Sequence, residues 1–263
     1  MYKKCRKWVM APSFIIGGVL CCLGIWFSLF ASPIDYQQKE TVRIMYIHVP
    51  ASWLALGIYA FMGLSSIGGF IWRHSLGFVF TRAAWPIGFC MGVISLLTGS
   101  IWGKPMWGTW WVWDARLTSM LVLVLLYLAY GVLMQAAHTG YGSTAKRPLI
   151  SQEELHKRGS ILVCIGLLNL PIIKFSVEWW STLHQPASVI REGGMAIAPE
   201  MAIPLFVTFF GMLLVLLGLG IMRVDTLLMR QKYQRCLMIQ DRLQYARQDL
   251  DEGLERLVEK GTA

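Results

Sequence analysis

Five stretches of this 263-residue chain run without a single Asp, Glu, Lys or Arg: Val9 to Ile34, Ile44 to Trp72, Ala83 to Gly103, Leu117 to Ala137 and Met201 to Met222. Each reaches the roughly 20 residues that a helix needs to cross a ~30 Å hydrocarbon layer. Inside that layer a chain must satisfy its own backbone polar groups, and uninterrupted apolar runs of this length do so as helices. A sixth stretch, Gly159 to Ile173, has 15 uncharged residues and falls short alone. Lys174 can snorkel to the interface while the helix continues towards Trp180, so this stretch counts as a span. With 56% hydrophobic and 15% charged residues, the composition excludes an ordinary soluble domain. The expected fold is an all-α polytopic membrane protein with six transmembrane helices.

An even number of spans puts both termini on one side, and the basic residues say which. Residues 1–8 carry 4 Lys or Arg, 73–82 carry 2, 138–158 carry 4 and 223–263 carry 8, whereas 35–43, 104–116 and 174–200 carry 2 each. Both termini are therefore expected in the cytoplasm, with segments 32–47, 102–116 and 175–200 facing outward. The net charge of +9 reports this topology. It does not point to nucleic acid, because the basic residues are dispersed and most aromatics lie elsewhere. A cleaved signal peptide competes for the start of the chain, where Lys3, Lys4, Arg6 and Lys7 precede an apolar run. That run is longer than a signal's apolar region, and Phe30-Ala31-Ser32 is a poor cleavage site, so it is read as the first span.

On this topology all six cysteines (Cys5, Cys21, Cys22, Cys90, Cys164 and Cys236) are intramembrane or cytoplasmic. No C-x-x-C redox pair and no C-x-x-C-H haem-attachment site occurs, nor any phosphate-binding G-x-x-x-x-G-K-[ST] loop. Two regions follow: a six-helix membrane domain over 1–222 and a charged cytoplasmic tail over 223–263. The inward link Gly140-Tyr141-Gly142-Ser143 is plain. In the tail Cys236, Leu243, Leu250 and Leu257 recur every seven residues, with Ile239 and Ala246 between them and Gly253 interrupting the seam. An amphipathic surface or partner helix and a coiled coil both fit that pattern.

The chemistry gathers outward. Trp107-Gly108-Thr109-Trp110-Trp111-Val112-Trp113-Asp114-Ala115-Arg116-Leu117-Thr118 puts four indoles within seven residues, closed by an Asp and an Arg. If the segment is helical, Trp107, Trp110, Trp111 and Asp114 stand at i, i+3, i+4 and i+7 on one face. Such a surface suits a flat, mostly apolar, anionic ligand such as a porphyrin; the alternative is an aromatic belt at the bilayer interface. Of the five histidines, His74, His138 and His156 fall inward, where solvated or interfacial roles suffice. His48 and His184 fall outward, each near aromatics. Pro50 suits the first turn of span two, which puts His48 near a helix start. Imidazole is the common axial ligand of haem iron, and hydrogen bonding alone is the alternative for each. Arg43 and Arg116 are placed to meet carboxylates of an anionic ligand. For Arg116 the alternatives are a pair with Asp114 or snorkelling at the start of span four. Asp114 is read as an orienting group for an Arg, a Trp N–H or backbone donors.

The Trp107–Thr118 segment resembles the tryptophan-rich WWD signature of the haem-handling proteins of cytochrome c maturation. Gly99–Met106, Tyr46–Ala51, Asn169–Ile173, Ser176–Trp180 and Thr182–Gln185 fit the same pattern in the same order. Together they resemble the six-span haem exporter branch, the CcmC family, over about residues 35–220. The longer relatives with more spans, which carry out the final haem ligation, do not fit 263 residues. The resemblance implies that His48 and His184 are the two axial ligands of haem b, iron protoporphyrin IX. It implies a haem platform from Trp107, Gly108, Trp110, Trp111, Trp113 and Asp114; the reading of Arg116 and Arg43 as partners of the propionates comes from their charge and place. It further implies the bacterial inner membrane with a periplasmic active face. The implied partners are the periplasmic haem chaperone CcmE, the ABC transporter subunits CcmA and CcmB, and the small membrane subunit CcmD.

The role so implied is binding and transfer, without enzymatic chemistry: haem held edge-on at the outer leaflet until the chaperone docks over the indoles, takes the exposed vinyl edge and leaves on ATP hydrolysis by the transporter. A permease for haem or another small solute is the first rival. It is favoured by intramembrane ionisable residues or broken helices, for which Pro171 is the one candidate position. An electron-transfer cytochrome b is the second, and it wants facing His pairs within the spans.

Overall fold

The computed structural model describes residues 2–72, 75–139, 152–184, 189 and 194–261. His74, Gly140–Ser143 and Gln185, together with the side chains of Cys5, His138 and Leu257 and the surroundings of Gly253, lie outside what is described. The described chain is α-helical: α1 (Tyr2–Phe30), α2 (Met45–Ile71), α3 (Ser75–Trp107), α4 (Ala115–Thr139), α5 (Gln152–Gly166), α6 (Asn169–Trp179) and α7 (Pro199–Gly261), with a 3-10 turn at Glu40–Ile44. Among the described residues six helical segments are long and apolar enough to cross a membrane, with α5 and α6 sharing the fifth.

The fifth segment is interrupted after Gly166. Leu167 N–H donates to the Val163 carbonyl (3.1 Å) and Leu168 N–H to that of Ile165 (3.1 Å), and a new helix starts at Asn169. Pro171 falls in its first turn, where a missing N–H costs little. Asn169 Nδ2 then donates to the Ser119 carbonyl at 2.8 Å, which fixes α6 on α4. The chain thus makes its one foreseen break three residues ahead of the proline.

Two packed regions hold unit 1, Met1–Met222. The larger is built from α2, α3, α4 and α5 around Leu54, Ala55, Tyr59, Met62, Leu123, Tyr127 and Val163. Tyr127 is fully buried, and its hydroxyl finds the partner an apolar core demands by donating to the Ala55 carbonyl at 2.8 Å. The smaller region joins the starts of α2 and α7 through Val42, Met45, Tyr46, Met201 and Leu205, with Trp53 and Trp102 packed against it. Helix α1 lies against α7 at glycines: a Cβ on Gly24 would stand 2.4 Å from Thr208 Oγ1, and one on Gly211 2.6 Å from the Cys21 nitrogen. Backbones that close are how helices associate in lipid, where apolar burial supplies no drive. Helix α1 is also tied to the segment before α2, because Arg43 Nη1 donates to the Ser28 carbonyl and Ser32 hydrogen-bonds the Tyr46 hydroxyl.

Unit 2, Arg223–Ala263, is helical through Gly261. Cys236, Ile239, Leu243 and Leu250 of the heptad pattern are exposed in it.

Candidate functional site

The tryptophan segment is not a helix, and the expected face of Trp107, Trp110, Trp111 and Asp114 does not form. Helix α3 stops at Trp107 because Gly108 takes the left-handed conformation, with φ +76°, that glycine adopts at helix C-termini. Gly108 N–H returns to the Lys104 carbonyl at 3.0 Å, and Lys104 Nζ donates to the Gly108 carbonyl at 2.9 Å. Residues 108–114 are then extended or bent until Asp114 starts α4. Its Oδ1 accepts the Leu117 N–H at 2.8 Å, an N-cap that satisfies one of the open donors of the first turn. Trp107 ends one helix, Asp114 caps the next, and the indoles between them lie on a loop.

Asp114 has a second bond. It is 8% exposed, and its Oδ2 accepts from His184 Nδ1 at 2.9 Å. The His184 ring sits edge-on to Trp107 with centroids 4.8 Å apart and planes at 69°. Burial pushes the His184 imidazole below its ordinary pKa by more than the Asp114 bond raises it, and Arg116 acts in the same direction as burial. The ring is therefore neutral at neutral pH.

His48 is held between α2 and α3. Its Nδ1 lies 3.0 Å from the Ser95 carbonyl and 3.1 Å from Thr98 Oγ1. A carbonyl only accepts, and Thr98 already donates to the Ile94 carbonyl at 2.6 Å, so Nδ1 carries the hydrogen. Ser52 Oγ donates to the His48 carbonyl at 2.8 Å and lies 2.6 Å from Ser95 Oγ, which knits α2 to α3 around the ring. Trp102 packs edge-on to His48 at 5.7 Å and donates Nε1 to Gln38 Oε1 at 3.1 Å. Glycines at i and i+4 make the room on α3: a Cβ on Gly99 would lie 3.0 Å from His48 Cε1, and one on Gly103 3.0 Å from Trp107 Cε3.

Both histidines thus have Nδ1 tied to the protein as a donor and keep the lone pair on Nε2. That is the arrangement in which an imidazole binds a metal, with the outer bond fixing tautomer and ring orientation. Both histidines pack against the C-terminal part of α3, His48 against Gly99 and Trp102 and His184 against Trp107. Among the described residues no group of three or more His, Cys, Asp or Glu converges as a metal site. The donor set fits a metal that arrives with a macrocycle's own nitrogens and asks the protein for axial ligands. Two buried polar atoms, Trp111 Nε1 in the tryptophan loop and Thr182 Oγ1 two residues before His184, have no hydrogen-bond partner among the described residues. Orphans of this kind are rare unless a ligand meets them.

The other residues singled out in the sequence divide. Trp111 is half-buried and edge-on to Trp113 at 5.4 Å, while Trp110 and Trp113 are 57% and 76% exposed. Arg43 is engaged with Glu40 and the Ser28 carbonyl, so it joins α1 to the turn before α2. Pro50 falls in the second turn of α2, and His48 in the first. Ser95 and Thr98 were not foreseen, and Gly99, Gly103 and Glu178 entered only within segments of the resemblance, without a role of their own. The first four do stand out as small or polar residues at i, i+3, i+4 and i+8 in an apolar span. Glu178, Trp179, Trp180, Ser181, Thr182 and His184 line an open groove of about 510 Å³.

The chain matches the model of the family described as Heme exporter protein C (CcmC) over residues 1–239. It is 43% identical over 235 residues to Heme exporter protein C of Bradyrhizobium diazoefficiens, covering 89% of this chain and 82% of that protein. The protein of the same description from Escherichia coli K12 is 41% identical over 237 residues, covering 89% of each. That of Haemophilus influenzae is 38% identical over 236 residues, covering 89% of this chain and 90% of the relative. With six apolar helices and matches of this extent, the chain is a multi-pass membrane protein that belongs to the Heme exporter protein C family, CcmC.

Proposed function

We propose that this protein holds haem b at the periplasmic face of the bacterial inner membrane, with iron between His48 and His184, and delivers it to a periplasmic haem chaperone during cytochrome c maturation. The reading rests most on one observation: each of the two imidazoles donates Nδ1–H to the protein and keeps its Nε2 lone pair free. The names of the relatives support haem as the cargo. Haem supplies the iron and the planar ring. The chain supplies position. His48 and His184 donate electron pairs from Nε2, Trp107 steadies His184, and the loop indoles Trp110, Trp111 and Trp113 with Gly108 offer apolar surface for the macrocycle. Arg116, beside Asp114 and Glu178, meets the propionates, as does Arg43 if it exchanges its present partners. Nothing in this role needs bond-making by the chain, so it acts as a binding and transfer subunit. The partners are the chaperone CcmE, the transporter subunits CcmA and CcmB, and the small subunit CcmD.

A permease for haem or another solute is the second reading, and the broken fifth span is the feature that favours it. Replacing His48 or His184 by Ala separates the two. Loss of bound haem at an unchanged protein level is the result expected for holding. Unchanged bound haem with lost transport means the permease.

A further inference from the structure

The two imidazoles are anchored by unlike partners. His184 gives its Nδ1 hydrogen to the carboxylate of Asp114 at 2.9 Å. His48 shares its own between a neutral carbonyl, Ser95 at 3.0 Å, and a hydroxyl, Thr98 at 3.1 Å. A carboxylate draws the Nδ1 proton towards itself and gives the ring partial imidazolate character, which strengthens donation from Nε2. A carbonyl shared with a hydroxyl does this far less. Asp114 is buried, so water does not dilute the effect, and its other oxygen is pinned by the Leu117 N–H, which fixes its direction.

Building on the function proposed above, we infer that Asp114 is a positioning residue that makes His184 the firm axial donor and leaves His48 as the ligand that yields first. Stronger donation from His184 favours ferric over ferrous iron and lowers the reduction potential of the bound haem. The yielding side is the one held within the packed α2–α3 pair, and the firm side is the one tied to the tryptophan loop through Trp107 and Asp114. Haem leaving the site then parts from His48 while His184 and the loop still hold it.

Asp114→Asn isolates the charge, because Asn still caps a helix and its carbonyl still accepts a hydrogen bond. The test is spectroelectrochemistry on full-length protein loaded with haemin. The expected result is a retained six-coordinate low-spin spectrum with a midpoint potential shifted positive relative to the unsubstituted protein. A retained spectrum with an unmoved potential overturns the inference. If Asp114→Asn does not fold, carbon monoxide on the reduced protein asks the same question without it. The adduct is expected to share its iron–carbon vibrations with that of His48→Ala, in which His184 stays trans to the gas. An adduct matching His184→Ala overturns the assignment. Failure of the unsubstituted protein to show two-imidazole haem at all removes the function proposed above, a result distinct from either of these.

Discussion

Gly99 meets the His48 ring so closely that an added Cβ would lie 3.0 Å from Cε1 and 3.5 Å from Nδ1. Ala at this position has to push the imidazole by a few tenths of an ångström against its bonds to Ser95 and Thr98. Gly99→Ala is therefore expected to weaken haem retention by about 10–100-fold, the usual cost of disturbing the outer support of a metal ligand. Helical content should be unchanged by circular dichroism, and wild-type haem content in the variant contradicts the placement of His48. Asp114 makes a different pair of predictions, because it serves the helix and the histidine together. Asp114→Ala removes the cap of α4 and is expected to cost about 1 kcal/mol of stability, whereas Asp114→Asn keeps it. Thermal unfolding in detergent distinguishes them, and equal melting temperatures for the two variants contradict the capping role. At this scale the chemically distinctive residues were legible in sequence. His48, His184, Trp107 and Asp114 stand out by residue type and by their place at or near the ends of the apolar runs. Ser95 and Thr98 do not, because their part depends on which turn of α3 faces α2, and no local pattern encodes that.

Helix α1 and helix α7 touch through Gly24, Thr208, Gly211 and Cys21, at opposite ends of the sequence. Gly211→Leu drives its side chain into the α1 backbone, where no flexible neighbour can give way. The expected loss is about 1–3 kcal/mol or more, read as a lower unfolding temperature, and an unchanged temperature contradicts this crossing. Element positions were visible in the charge-free runs, since a span must be apolar whatever it packs against. Pairing was not, because Leu, Ile and Val facing lipid look the same as those facing a helix. The Trp107–Asp114 segment shows two signals in conflict. The i, i+3, i+4, i+7 spacing of Trp107, Trp110, Trp111 and Asp114 fits a helix face, while Gly108 and Asp114 are a helix stop and a helix start. Backbone conformation decided it. Gly108 at φ +76° cannot continue α3, and an aspartate that bonds the Leu117 N–H sits outside the helix it begins.

For the whole molecule, the basic residues concentrate on the links that share a side with the termini, and the account predicts that both termini are cytoplasmic while the 108–114 loop is outside. A fluorescent protein fused after Ala263 should fluoresce, and a cysteine placed at Thr109 should react with an impermeant maleimide added to intact spheroplasts. A dark fusion with an unreactive loop cysteine means the inverse orientation. His48, His184 and the tryptophan loop all lie in unit 1, and the family match ends at residue 239. Removal of residues 240–263 is therefore expected to leave haem content of the purified protein unchanged, and its loss assigns the tail a part in the site. The central claim is that one iron porphyrin is held by two imidazoles from distant parts of the chain. Electron paramagnetic resonance of the haemin-loaded full-length protein tests it most directly. The account predicts a low-spin ferric signal of two-imidazole type that both His48→Ala and His184→Ala abolish. A high-spin signal in the unsubstituted protein, or a low-spin signal that survives both substitutions, contradicts it.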